Sequence, residues 1–239
     1  MSTDEVRDWV RAAKHIAVLT GAGMSAESGV PTFRDALTGL WAKFDPQQLA
    51  TEDAFRADPS MVWDWYAHRR EMIAKVEPNA GHRALAAFQR RHPGRLTLIT
   101  QNVDGLHQRA GSEGVLALHG NIGEDQWLDA PRSCCNADAV VRASPPFCDV
   151  CGNMRRPAVV WFGEMLPVDV LEAAEDAARS SDLMLVVGTS GVVHPAAGLA
   201  RLTGGQVVVI NPDETALDDA AHAVLRGTAA TLLPQLLED

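Results

Sequence analysis

Apolar residues fall along this chain in two alternating rhythms. Residues 4–14 place Val6, Val10 and Ala13 or Trp9 at helical spacing, which predicts an amphipathic helix. His15-Ile16-Ala17-Val18-Leu19-Thr20 then runs apolar without a polar alternation and predicts a short buried strand. The same design recurs at Leu96-Thr97-Leu98-Ile99-Thr100, at Leu183-Met184-Leu185-Val186-Val187 and at Gln206-Val207-Val208-Val209-Ile210, with a shorter version over 115–118. Helical patterns over 80–91 and 168–179 separate these runs. Strands apolar on both faces and spaced by helices predict an α/β fold, a Rossmann-like parallel sheet covered on both sides.

Two stretches break the rhythm. After Pro31-Thr32-Phe33-Arg34-Asp35 a loop is expected to about Trp41, and residues 46–76 read as a helical insertion of short helices. Residues 121–157 hold Pro131, Pro145, Pro146 and Pro157 and little periodicity, so an irregular module is expected there. Residues 158–164 are expected to bring the chain back to the sheet. The expected division is a main domain of residues 1–35, 77–120 and 158–239. Residues 36–76 and 121–157 together form a smaller one. No internal repeat is visible.

Composition narrows the class. Of 239 residues 46% are hydrophobic, enough for a substantial core, and a formal charge of -10 argues against direct nucleic-acid binding and against an anionic membrane surface. No apolar run reaches the ~18 residues of a membrane span, and the acidic start Met1-Ser2-Thr3-Asp4-Glu5 lacks a signal-peptide core, so a cytoplasmic protein is expected. All four cysteines lie between positions 134 and 151, which suggests a metal knuckle more than a disulfide framework.

Candidate chemistry gathers where strands end. Thr100-Gln101-Asn102-Val103-Asp104-Gly105-Leu106-His107 leaves the carboxyl end of one expected strand, and Leu118-His119-Gly120 follows another. In an open α/β sheet that edge is where ligands bind. Gly21-Ala22-Gly23-Met24-Ser25 follows the first strand, as a phosphate-binding turn would, although Ala26 stands where a third glycine would complete the dinucleotide fingerprint. No acidic residue ends a second strand ~20 residues on, which disfavours an ordinary dehydrogenase.

Seven short stretches, in order, make the sequence resemble the sirtuins, NAD-dependent protein lysine deacylases. They are Gly21-Ala22-Gly23-Met24-Ser25, Pro31-Thr32-Phe33-Arg34, Thr100-Gln101-Asn102-Val103-Asp104, Leu118-His119-Gly120, Val160-Trp161-Phe162-Gly163-Glu164, Gly188-Thr189-Ser190 and Ile210-Asn211-Pro212-Asp213. The resemblance runs from about His15 to Pro234. It implies that Gly21, Ala22, Gly23 and Ser25 cradle the NAD phosphates, with Phe33 and Arg34 over the nicotinamide ribose and diphosphate. Gln101, Asn102 and Asp104 would shape the ribose and nicotinamide pocket. Gly188, Thr189, Ser190, Asn211, Asp213 and Ala229 would hold the adenosine end. His119 matches the catalytic base, with Asn102 beside it in the catalytic role. His107, one helical turn after Asp104, is expected to order the loop. In the family the acyl oxygen displaces nicotinamide, and an imidazole of pKa near neutrality then relieves a ribose hydroxyl of its proton. The acyl group leaves on ADP-ribose. The resemblance also makes the backbone of Val160, Trp161, Phe162 and Gly163 a strand partner for an acyl-lysine peptide or protein, with the side chains framing the lysine tunnel.

Tyr66 and Arg69 stand three apart in the helical insertion, hence on one helix face, and Tyr66 is the only tyrosine. The branch of the family that removes succinyl, malonyl or glutaryl groups carries Tyr-x-x-Arg here. A phenol and a guanidinium suit a distal carboxylate that acetyl lacks. The alternative is an arginine in helix ion pairs among Asp64, Arg70 and Glu71. Sirtuins also hold a structural Zn²⁺ with two Cys-x-x-Cys pairs. Here Cys148-Asp149-Val150-Cys151 fits, whereas Cys134 and Cys135 are adjacent and need an unusual turn to share one ion. Four thiolates, three with another ligand, and a degenerate metal-free site all remain open. Rival activities are plain deacetylation, mono-ADP-ribosyl transfer and non-catalytic NAD sensing, and a monomer is expected.

Overall fold

A computed structural model describes residues 2–31, 45–136 and 140–238. In chain order these form α1 (Thr3–Ala12), β1 (Ile16–Thr20), α2 (Gly23–Ala26), α3 (Pro46–Leu49), α4 (Glu52–Ala57), α5 (Pro59–Ala74) and α6 (Ala80–Arg91). Then come β2 (Leu96–Thr100), α7 (Leu106–Arg109), β3 (Leu116–Ala117), β4 (Gly120–Trp127), β5 (Val140–Val141), β6 (Phe147–Cys148) and β7 (Arg155–Val159). The chain closes with α8 (Val168–Ser180), β8 (Leu183–Val187), β9 (Gln206–Ile210), β10 (Ala223–Leu225) and α9 (Ala229–Leu237). It divides into two units, one of Met1–Thr32, Val76–His119 and Leu166–Asp239, the other of Phe33–Lys75 and Gly120–Met165.

The first unit is built on a parallel sheet of order β10-β9-β8-β1-β2-β3. The strands read as unbroken apolar runs because both faces are covered. Ile16, Val18, Leu98, Leu185 and Val208 pack with Val6 and Val10 of α1, Leu85 and Phe88 of α6, and Leu233 and Leu236 of α9. The intervening residues Ala17, Leu19, Ile99, Met184 and Val186 face the other way, onto Ala174 and Ala178 of α8 and Leu199. Strand order reverses between β1 and β8, and such a switch point opens a crevice beyond the strands' carboxyl ends. Among the described residues no helix is long and apolar enough to cross a membrane.

In the second unit α5 starts on the Asp58 side chain, which accepts from the Met61 N–H, with Pro59 in the first turn, where its missing donor costs nothing. Arg70 ties this helix to the neighbouring ribbon through the Ile122 carbonyl and the Asp125 carboxylate. That ribbon is β4 paired antiparallel with β7. Two expectations are corrected here. The stretch expected to be irregular over 121–157 opens within an eight-residue strand, β4 (Gly120–Trp127), unseen in the sequence because it is polar and half of its residues are exposed. The chain near 158–164 does not rejoin the parallel sheet. Its strand, β7, pairs with β4; Arg155 is half-buried, and Pro157 is buried opposite Asp125 where the register shifts, a position that tolerates a missing N–H.

Candidate active site

In the first unit the ends of β1, β2, β3, β8 and β9 bring most of the singled-out residues onto one sheet edge. Behind β1 the Gly21 N–H donates to the Val187 carbonyl (3.0 Å) and the Gly23 N–H to the Gly188 carbonyl (2.8 Å). The two turns therefore touch backbone to backbone. A Cβ on Gly21 would sit 2.7 Å from the Thr189 Cβ, one on Gly23 would sit 2.8 Å from the Gly188 Cα, and Gly188 itself has φ +60°. Glycine is required at these positions by chain-to-chain approach before any ligand is considered.

A chain of hydrogen bonds runs along this edge. His119 Nδ1 lies 2.9 Å from the Gln101 carbonyl, the Gln101 side-chain amide donates to Thr189 Oγ1 (3.1 Å), and the Asn211 amide donates to the Thr189 carbonyl (3.1 Å). A carbonyl only accepts, so His119 carries its proton on Nδ1 and presents the Nε2 lone pair. No described residue partners Nε2, and the ring is half-buried. Burial lowers the His119 pKa, against the Gln101 bond that raises it, so the imidazole is neutral at pH 7. Asp213 is exposed beyond Asn211, and Ser190 and Ala229 sit on the same unit, Ala229 buried at the start of α9.

Beneath the edge lies a closed polar cluster. Ser25 donates to Asp104 (2.6 Å) and receives the Asn102 amide (3.2 Å) and, at 3.5 Å, His82 Nε2. Asn102 spends its other amide proton on the Gly21 carbonyl (3.0 Å), which leaves its side-chain oxygen without a donor among the described residues. The Ser25 hydroxyl is thus committed inside the fold, as are the N–H groups of Gly21, Gly23, Met24 and Ser25, which leaves the Ala22 N–H as the turn's donor without a partner among the described residues. His107 Nε2 meets the Thr20 hydroxyl at 3.0 Å, and its ring lies 4.7 Å from that of His82. Burial pushes His82 down to about 4 and His107 down to about 3, so both are neutral. His82 was not singled out from the sequence, because only the turn of Ser25 brings it, 57 positions away, into the cluster. Phe33 and Arg34 lie outside the described residues.

In the second unit Tyr66 and Arg69 share a face of α5. Tyr66 is nearly buried, its oxygen accepts from Trp161 Nε1 (3.0 Å), and burial pushes its pKa up to about 12. The Arg69 guanidinium lies 5.2 Å over the Trp65 ring, which meets the Tyr66 ring edge-on at 4.6 Å. Nearby, Arg70 pairs with Asp125, and Asp64 accepts from Ser144 (2.6 Å).

Val160, Trp161, Phe162 and Gly163 leave β7 in a turn closed by Glu164. The Trp161 N–H donates to the Glu164 carboxylate (2.8 Å) and the Phe162 N–H to the Ala50 carbonyl (2.9 Å). The N–H groups of Trp161 and Phe162 are thus engaged within the fold. Gly163, at φ +89°, keeps its N–H unpaired among the described residues. Trp161 is a buried wall, whereas Phe162 is half-exposed.

All four cysteine sulfurs lie within 4.8 Å of one another, with Cys135 and Cys151 3.6 Å apart. Sulfurs on a tetrahedral Zn²⁺ at ~2.3 Å stand ~3.8 Å apart, so the set fits such an ion. The unusual turn is present: the Cys135 N–H reaches back to the Arg132 carbonyl (2.8 Å) and the Asn136 N–H to that of Cys134 (3.0 Å). That tight bend lets two adjacent side chains point the same way.

Residues 21–195 match the model of the Sir2 family. The chain belongs to the Sir2 family. Its relatives include an NAD-dependent protein deacylase of Ralstonia nicotianae, 54% identical over 98% of this chain and 95% of that one. Among solved structures, a Sir2 homologue in complex with NAD is similar at a TM-score of 0.88, with 44% identity over 98% of this chain and 92% of the other. A Sir2 complex with a p53 peptide and NAD+ has a TM-score of 0.85 at 32% identity, over 100% of this chain and 98% of that one. The Sir2 parallel sheet accounts for the strand order, and the Sir2 match spans the glycine turn, His119, both cysteine pairs and the turn after β8.

Proposed function

We propose that this Sir2-family chain removes acyl groups from protein lysines with NAD as co-substrate, favouring acyl groups that end in a carboxylate. The carrying observation is His119, fixed by the Gln101 carbonyl as the Nδ1–H tautomer with a neutral Nε2. NAD supplies an activated ribose carbon with nicotinamide as its leaving group. His119 Nε2 takes the proton of a ribose hydroxyl, which its pKa below the usual imidazole value suits at pH 7. The unspent side-chain oxygen of Asn102 accepts from a second hydroxyl or a positioned water. Gly21, Ala22, Gly23 and Ser25 line the phosphate end, where the Ala22 N–H, without a partner among the described residues, donates to a phosphate oxygen. Gln101 and Asp104 shape the ribose pocket, and Gly188, Thr189, Ser190, Asn211, Asp213 and Ala229 bind adenosine.

Tyr66 and Arg69 read the acyl carboxylate by a phenol hydrogen bond and an ion pair. Val160 and Gly163 offer backbone to the acyl-lysine peptide. Cys134, Cys135, Cys148 and Cys151 hold a structural Zn²⁺, which cross-links the polar module and takes no part in the chemistry.

The test is mass spectrometry of paired succinyl- and acetyl-lysine peptides with and without NAD. Succinyl loss faster than acetyl loss, with O-succinyl-ADP-ribose appearing, is expected. Acetyl loss alone would discard the carboxylate preference, and no turnover of either would discard the deacylase.

A further inference from the structure

We infer that Trp161 orients the Tyr66 hydroxyl: its indole N–H fills one lone pair of the phenol oxygen and leaves the phenol proton to be donated to the acyl carboxylate. The inference rests on the carboxylate preference proposed above and assigns a specificity-determining role to a side chain that need not touch the acyl group. An indole N–H is a donor without acceptor capacity, so the Tyr66 proton cannot point at Trp161. No described residue offers that proton an acceptor, although the hydroxyl lies in a side chain only 4% exposed. A buried donor left unspent costs free energy unless a ligand takes it. A carboxylate, which only accepts, is the complementary group. An acetyl group offers nothing at that distance.

The indole is itself held on every side. Its ring packs against Phe55 at 5.3 Å, and the Arg156 guanidinium stacks over its face at 3.3 Å. Arg156 is 3% exposed, grips the Glu164 carboxylate with both of its terminal nitrogens, and donates to the Val159 carbonyl (2.7 Å). Glu164 in turn receives the Trp161 main-chain N–H. The indole cannot swing, so the direction of the Tyr66 proton is fixed before substrate arrives. Pre-orientation of this kind spares the ligand the cost of ordering a hydroxyl rotor.

The experiment compares kcat/KM on succinyl- and acetyl-lysine peptides for the full chain, W161F, R69M and a variant in which Trp161 is replaced by benzothienylalanine, where sulfur stands for N–H at constant shape. Ultraviolet resonance Raman of the only tyrosine reports whether its oxygen accepts a hydrogen bond. Both Trp161 variants should lower the succinyl-to-acetyl ratio about tenfold, and the tyrosine doublet should lose its acceptor signature. If R69M lowers the ratio while the benzothienyl variant leaves both ratio and doublet unchanged, the role of Trp161 is overturned and the carboxylate reading stands. If R69M also leaves the ratio unchanged, the carboxylate reading itself fails.

Discussion

His119 Nδ1 and the Gln101 carbonyl oxygen, 2.9 Å apart, settle the tautomer of the imidazole at the sheet edge. One ring nitrogen is spent on the fold, and the other is left as a base. His119→Ala should cost 10²–10⁴-fold in kcat, the usual worth of a positioned base, while NAD affinity by calorimetry changes little. Comparable turnover in the variant would remove His119 from the chemistry. Because burial lowers its pKa, the acidic limb of kcat/KM should fall below pH 6.5.

His82 and His107 predict an acid-sensitive fold. Each is neutral when folded, at about 4 and about 3, and titrates near 6.5 when unfolded. Between these limits the unfolded chain binds more protons, so stability is complete above pH 6.5 and declines as pH falls toward 4. Linkage gives about 2–3 kcal/mol for each imidazole by pH 4.5. Urea midpoints measured from pH 7.5 to 4.5 should drop steeply, and His107→Gln should flatten the drop. Parallel curves for the two proteins would mean that carboxylates, not this pair, dominate.

Arg69→Met should reduce the succinyl-to-acetyl ratio of kcat/KM by roughly 10–100-fold, the worth of one charge-assisted contact. Equal losses on both peptides would make Arg69 a support of α5 through its stacking on Trp65.

Purified protein should carry about one zinc per chain by elemental analysis. Cys135→Ser should lower both zinc content and Tm, the latter by roughly 5–10 °C. A metal-free protein with unchanged Tm would show the four sulfurs to be packing only.

The buried half of the fold was legible because continuous apolar runs have few other uses: β1, β2, β8 and β9 were all readable, as were α1, α6 and α8. β4 was not, since its polar exposed residues carry no burial signal, and β10 and α9 were passed over as short elements late in the chain. At the candidate site the sequence exposed residues that end strands, such as Gln101, Asn102 and His119. It did not expose His82 or Arg156, which act through partners that only the folded chain brings near. The adjacent cysteines are the sharpest case. Sequence spacing left a shared ion open because it needs an unusual turn, and the tight turn at Arg132–Cys135 supplies that turn.

The interlocked turns of Gly21, Gly23 and Gly188 carry a consequence for mutational scanning. A library selected for activity would return only glycine there, and so would one selected for soluble protein alone, because an added methyl strikes neighbouring main chain or the Thr189 side chain. Intolerance at the most recognisable stretch of the chain is therefore weak testimony about ligand binding. At Asn102 and Arg69, where no such collision exists, the two selections should diverge, and that divergence is where chemistry separates from architecture.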